Sequence, residues 1–282
     1  MIKNNIKILI SILGFLLFLP AICFGNKENP RYISLAPSTT EILFALGLDQ
    51  EIVGVSSFCD YPPQVSSKEK VGTFSQPNLE KIISLQPDYI FCTGLEQDAA
   101  VAELKRAGFA VYVADPSTIE ELLSSIEEIG VITLLQEKAH QIALSMKDNL
   151  EVLRAKTSAI PESSRPKVFL EIWPDPLTTA GNGSFVDQII SCAGGKNIAS
   201  NLRRAYSIFS AEEVINSMPD CIILAYMDKG ANVKSLFLRR GWERIPAIKN
   251  NRVYNDIDPN IILRPGPRIV EGAFELNNRF YK

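Results

Sequence analysis

Asn78-Leu79-Glu80-Lys81-Ile82-Ile83-Ser84-Leu85-Gln86-Pro87-Asp88-Tyr89-Ile90-Phe91 returns later in the same chain as Ser210-Ala211-Glu212-Glu213-Val214-Ile215-Asn216-Ser217-Met218-Pro219-Asp220-Cys221-Ile222-Ile223. Each copy opens on a residue that caps helices and continues as a short amphipathic stretch with a glutamate in its first turn. It then passes through Pro-Asp into an apolar, strand-like run. A helix feeding a strand, written twice, predicts two similar lobes.

Upstream of each copy stands a second matching pair. Ser38-Thr39-Thr40-Glu41 has capping-box spacing and leads an apolar helix that should stop near Gly47. Ser184-Phe185-Val186-Asp187 leads a similar run that stops at Gly194-Gly195. Strand-like segments precede both, at 32–35 and 168–172. With 282 residues there is room for two cores, and the alternation places the chain in the α/β class. Between the repeats, 131–159 holds neither glycine nor proline, and Leu134, Leu135, Ala139, Ile142, Met146, Leu150 and Leu153 recur at helical spacing. We therefore expect a first lobe over 30–132, a connecting helix over 133–160 and a second lobe over 165–282, with a ligand cleft between the lobes. A single rigid connector predicts modest lobe movement.

Lys3 and Lys7, an apolar run over 8–18, Pro20 and Gly25 follow the order of a secretory signal, with cleavage expected near Gly25. A lipid anchor at Cys23 fits less well, because Pro20 and Ile22 stand where small residues are wanted. Export puts Cys59, Cys92, Cys192 and Cys221 in an oxidising compartment. Cys59 and Cys92 both follow strand-like runs of the first lobe and could bridge; the alternative is four buried thiols. A net charge of −3 argues against a nucleic-acid partner. The one histidine, His140, falls midway along the connecting helix, a poor place for a hydrolase base or an imidazole metal site, and neither standard phosphate loop is present. These exclusions point to binding rather than catalysis, with no cofactor. An exported enzyme using the Asp60, Asp175 and Asp258 loops is the rival of another class.

Ligands of α/β lobes meet the loops at the carboxyl ends of the strands. Tyr61, Phe74, Trp173 and Tyr206 fall in such loops outside regular apolar periods, as flat contacts for a rigid organic ligand would. In Arg264-Pro265-Gly266-Pro267-Arg268 two prolines fix the directions of two guanidinium groups. One could meet ligand oxygens while the other pairs with an acid such as Glu271; capping and surface pairing of both is the alternative. The repeat puts Glu80 and Glu212 at equivalent exposed positions, where two carboxylates could engage two identical arginine pockets of a two-fold symmetric membrane protein.

Six stretches carry a family resemblance. They are residues 33–43 (Ile33 to Leu43), 53–63 with Phe58-Cys59-Asp60-Tyr61-Pro62-Pro63, 78–82, 171–176, 193–198 and 263–268. Together they resemble the helix-hinged periplasmic substrate-binding proteins, and among these the cobalamin-binding members, from about Arg31 to near the C-terminus. The resemblance implies a monomer with a corrinoid in its cleft, delivered to the permease and ATPase complex of an inner-membrane ABC importer. It puts Tyr61 and Phe74 among first-lobe ligand contacts and Tyr206, Asn260 and Arg264 among those of the second lobe, and it makes Glu80 and Glu212 the docking pair. Two departures stand out: Asn260 where Asp is expected, and Thr93 where Trp is expected. An iron siderophore or haem on the same scaffold is the nearest rival ligand.

Overall fold

The computed structural model describes residues 29–94, 97–227 and 233–282; the expected signal segment over 1–25 and Cys23 lie outside the described residues. From Arg31 to Lys282 the chain forms one unit built on two sheets. The first contains β1 (Tyr32–Ser34), β2 (Ile52–Val55), β3 (Tyr89–Cys92) and β4 (Val111–Val113), all parallel, in the order β2-β1-β3-β4. Helices α1 (Pro37–Ala45), α2 (Leu79–Leu85) and α3 (Asp98–Arg106) join them. The pleat sends Ile33, Ile90 and Cys92 into one apolar core with Ile82 and Leu104, and Tyr32 and Phe91 into another on the opposite face.

The second sheet holds β5 (Lys167–Pro174), β6 (Leu177–Ala180), β7 (Lys196–Asn197), β8 (Tyr206–Ile208), β9 (Cys221–Leu224) and β10 (Val253–Tyr254). Its parallel part runs β7-β5-β9-β10 and repeats the order of the first sheet; β6 and β8 add an antiparallel ribbon at one edge. Helices α6 (Phe185–Cys192) and α7 (Ala211–Ser217) follow β6 and β8, and the short α8 (Pro246–Lys249) and α9 (Asn260–Leu263) precede the long C-terminal α10 (Ile269–Phe280).

The duplication extends to single hydrogen bonds. In α2, Asn78 caps the Lys81 N–H, and in α7, Ser210 caps the Glu213 N–H. Both helices end on a left-handed residue, Gln86 at φ 45° and Met218 at φ 49°. Then Asp88 accepts from the Arg31 N–H at 2.8 Å, and Asp220 from the Lys167 N–H at 2.9 Å. In each lobe the Pro-Asp turn thus ties the start of the third strand to the residue that opens the first, which fixes the register of the pair.

Two helices link the lobes, α4 (Ile119–Ile132) and α5 (Gln136–Ser158). The apolar run read as starting near Leu134 is broken there: Leu134 is left-handed at φ 59°, and the Thr133 hydroxyl bonds back to the Ile129 carbonyl, so helix restarts at Gln136. The 23 residues of α5 span roughly 35 Å at about 1.5 Å per residue. Gly130 lets α5 approach closely, since a Cβ there would lie 2.3 Å from the Ala139 side chain. One apolar cluster runs from Ile42 and Phe91 through Ile126 and Leu150 into Ile189 and Leu276, so the two lobes and the helix pair share a core.

The Cys59 to Cys92 bridge is corrected by this arrangement. Cys59 packs in the cluster containing Phe91 and Cys92 in the one containing Ile90, with the sheet between them, and all four described cysteines are buried free thiols. Burial pushes the Cys92 thiol up to about 12. His140 is exposed and pairs with Glu127 at 3.0 Å.

Candidate functional site

The capping box expected at Ser38 and Glu41 does not form. Pro37 occupies the first turn, Ala36 is the cap residue, and its carbonyl accepts from the hydroxyls of Ser34, Thr39 and Thr40. Glu41 is thereby released from local duty and crosses to the other lobe. It is 4 % exposed and receives Arg268 in a two-pronged pair, Nε to Oε2 at 2.9 Å and Nη2 to Oε1 at 2.7 Å. Arg264 adds a weaker bond to Glu41 Oε1 at 3.4 Å and a close one to Asp60 Oδ1 at 2.6 Å. Asp258 closes the far side of Arg268 at 3.3 Å. The Arg268 guanidinium lies 3.7 Å over the Tyr61 ring, a cation–π contact between lobes.

This clasp revises the role expected for the arginine pair. The carboxylate that answers them is Glu41, not Glu271, and Arg264 spends its charge on Asp60 and Glu41. Burial works to raise the Asp60 carboxyl, but the hydrogen bond and charge of Arg264 outweigh it and hold the group below the usual carboxylate value. Arg268 is held more firmly protonated, chiefly by its hydrogen bond to Glu41. A cavity of about 470 Å³ opens beside the clasp, lined by Phe44, Ala45, Tyr61, Pro62 and Pro267 among others. Phe74, Trp173, Tyr206 and Asn260 do not line it, so it is a side groove distinct from the grouping of those residues.

Phe74 packs edge-to-face on the exposed Phe58, ring centroids 6.4 Å apart. The Phe74 carbonyl and the Thr93 N–H are both bonded by Gln97, and the Thr93 hydroxyl reaches Asp115 at 3.3 Å. Across the gap, Tyr206 keeps 51 % of its surface open, yet burial first and the Asp115 charge second raise its hydroxyl above the ordinary tyrosine value. In the ribbon, Trp173 stands opposite Thr178, and Thr178 opposite Ile208, with Tyr206 two residues along. Trp173, Ile208 and Tyr206 therefore share one face, and all three are exposed. The Trp173 indole donates to the Asp175 carbonyl at 2.8 Å. Asn260 opens α9, half-buried, its N–H bonded to Asp258.

The structure thus gathers Phe74, Thr93 and Tyr206 in one neighbourhood, sets Trp173 on the Tyr206 face, and places Tyr61, Arg264 and Asn260 around the clasp. Sequence reasoning did not single out Phe58, Ile208 or Asp115 as lining, nor Glu171. That last carboxylate is fully buried in β5, hydrogen-bonded by Tyr226 and paired two-pronged with Arg239 at 2.6 Å, so Arg239 also has its charge answered. Among the described residues no group of three or more His, Cys, Asp or Glu side chains could hold a metal. Glu80 and Glu212 are both exposed, each at the second residue of its helix.

A sequence family described as periplasmic binding protein matches residues 33–259. The uncharacterized ABC transporter substrate-binding lipoprotein YvrC of Bacillus subtilis is 36 % identical over 91 % of this chain and 81 % of its own length. The vitamin B12-binding protein of Salmonella typhimurium is 31 % identical, covering 95 % of each chain. Among solved structures, the periplasmic heme-binding protein RhuT from Roseiflexus is 26 % identical with a TM-score of 0.79, covering 90 % of this chain and 98 % of that one. The vitamin B12 binding protein BtuF of Vibrio cholerae is 26 % identical with a TM-score of 0.74, over 89 % and 96 % respectively. Two similar α/β lobes joined by the helical connector, with a cleft between them, belong to a substrate-binding protein, and the chain is a member of the periplasmic binding protein family.

Proposed function

We propose that this protein captures cobalamin or a related corrinoid outside the cytoplasm and delivers it to an inner-membrane ABC importer, without transforming it. One observation carries the ligand class. The arginines of the proline-bracketed run are neutralised by Glu41, Asp60 and Asp258, and Arg239 by Glu171. Away from the clasp, Phe58, Trp173, Tyr206 and Ile208 are exposed, with Phe74 packed on Phe58. An acidic chelate would have to break existing ion pairs to gain any of these cations, leaving the exposed Arg203 and Arg204 beside Tyr206 as its open partners, whereas a broad ring fringed with neutral amides loses nothing by entering. The resemblance to vitamin B12-binding proteins over nearly the whole chain supports the same reading. Tyr61, Phe74, Trp173, Tyr206, Asn260 and Arg264 are the proposed ligand contacts, and Glu80 and Glu212 the proposed docking pair.

Titration decides the ligand. Cyanocobalamin should quench tryptophan fluorescence with a sub-micromolar Kd, because Trp173 is exposed while the second tryptophan, Trp242, is fully buried. Tight binding of haemin or a ferric siderophore with silence toward cyanocobalamin would reject the corrinoid. Haem is the second reading, favoured by the likeness to RhuT. Residues 1–25 are the proposed export signal, with cleavage near Gly25. The intact mass of the mature protein tests this against a diacylglycerol anchor at Cys23.

A further inference from the structure

Gln97 has no exposed surface, and its side-chain amide is bonded at three points. Nε2 donates to the Leu35 carbonyl at 2.9 Å and to the Phe74 carbonyl at 2.6 Å, and Oε1 accepts from the Thr93 N–H at 2.8 Å. Two carbonyls need two donors and one N–H needs an acceptor, so only this orientation of the amide satisfies the set. The three points belong to the loops that follow β1, precede α2 and follow β3, those that form the first-lobe wall. Gln97 itself caps α3 by position but makes no side-chain cap bond, so its amide is spent on the wall rather than on its own helix.

We infer that Gln97 is a positioning residue that holds Phe74 and Thr93 in their ligand-ready places. The inference rests on the proposed reading of the cleft as the ligand site. Without the amide, the buried Leu35 carbonyl and the part-buried Phe74 carbonyl and Thr93 N–H lose their partner, and the loops shift as these groups seek water. The wall would then have to be re-formed by the ligand, which shows as lost affinity.

The test uses Gln97→Met, which keeps length and removes all three bonds, and Gln97→Glu, which carries a titrating group in the same place. Kd for cyanocobalamin is read from Trp173 fluorescence, on the opposite lobe, at pH 7.5 and pH 5. Gln97→Met should weaken binding about tenfold or more at both pH values, as loss of a buried hydrogen-bond set does. Gln97→Glu should be as weak at pH 7.5, where a carboxylate faces two carbonyls. It should recover at pH 5, where the protonated acid donates to one carbonyl and still accepts from Thr93. Wild-type affinity for both variants at both pH values would overturn the inference, as would equal weakness of Gln97→Glu at pH 5 and pH 7.5 with Gln97→Met unaffected. If the wild type takes haemin in place of cyanocobalamin, the corrinoid reading fails and the same comparison with haemin decides the role of Gln97. A wild type that binds neither ring overturns both.

Discussion

Glu41 illustrates how far a single residue can be from what its neighbours suggest. It sits three positions after a serine, yet its partners are Arg264 and Arg268, more than 200 residues away. A buried carboxylate and two nearly buried guanidiniums are stable together and costly apart. Glu41→Ala should therefore destabilise the protein by about 3 kcal/mol in urea unfolding, the lower end for breaking a buried pair, because Asp60 and Asp258 still partly answer the arginines. A loss under about 1 kcal/mol would mean the arginines find water instead. Asp60 adds a pH dependence. Its folded-state carboxyl lies below the ordinary 3.8, so its contribution is complete above that value and is lost as pH falls through the lower, folded one. Wild type should be more stable than Asp60→Asn near neutrality, and the two acid unfolding profiles should converge only below about pH 4. The clasp was not legible in the sequence because Ser-x-x-Glu is a local pattern, and a local pattern cannot report a competing partner on the other lobe. Gln97 escaped for the same reason, its bonds reaching 23 and 62 residues along the chain.

At the scale of elements the sequence was far more transparent, because caps and turns act within a few residues. Asn78, Ser184 and Ser210 each accept from the N–H three residues on, as their spacing predicts. The repeated Pro-Asp turns gave both strand orders their shared beginning. What spacing could not give was the break at Leu134, since leucine carries no turn signal, yet it takes the left-handed conformation where α4 turns back onto α5 beside Gly130. The two copies are not equal in strength. Ser210 and Glu213 form a reciprocal box, with the Glu213 carboxylate returning to the Ser210 N–H at 3.3 Å, whereas Asn78 has no such return. Ser210→Ala should cost about 1 kcal/mol or more and Asn78→Ala somewhat less, both within the usual range for caps. Thermal unfolding measures the difference, and a larger loss at Asn78 would contradict the assigned asymmetry.

Across the whole molecule, duplication gives the two lobes matching faces while the clasp and the shared core restrain them. The first property bears on docking. Glu80→Ala with Glu212→Ala should leave the Kd for cyanocobalamin nearly unchanged and lower uptake by the importer, since both carboxylates are exposed and neither has a partner among the described residues that its loss would strand; equal loss of binding would place them on the wrong surface. The second property bears on motion. Closure of one lobe on the other would have to shear the apolar cluster that runs through α4 and α5, and also stretch the pairs from Glu41 and Asp60 to the arginines. Cores repack between discrete arrangements rather than deforming continuously, so the connector and the clasp together favour small movement. The radius of gyration from small-angle scattering should accordingly change little when cyanocobalamin is added to the wild type. In Arg264→Ala with Arg268→Ala the clasp is gone but the helix pair remains. If the clasp is a principal restraint, ligand should now produce a measurable contraction. If the variant stays as unresponsive as the wild type, the helix pair alone sets the spacing of the lobes. A large contraction in the wild type itself would show that neither restrains it.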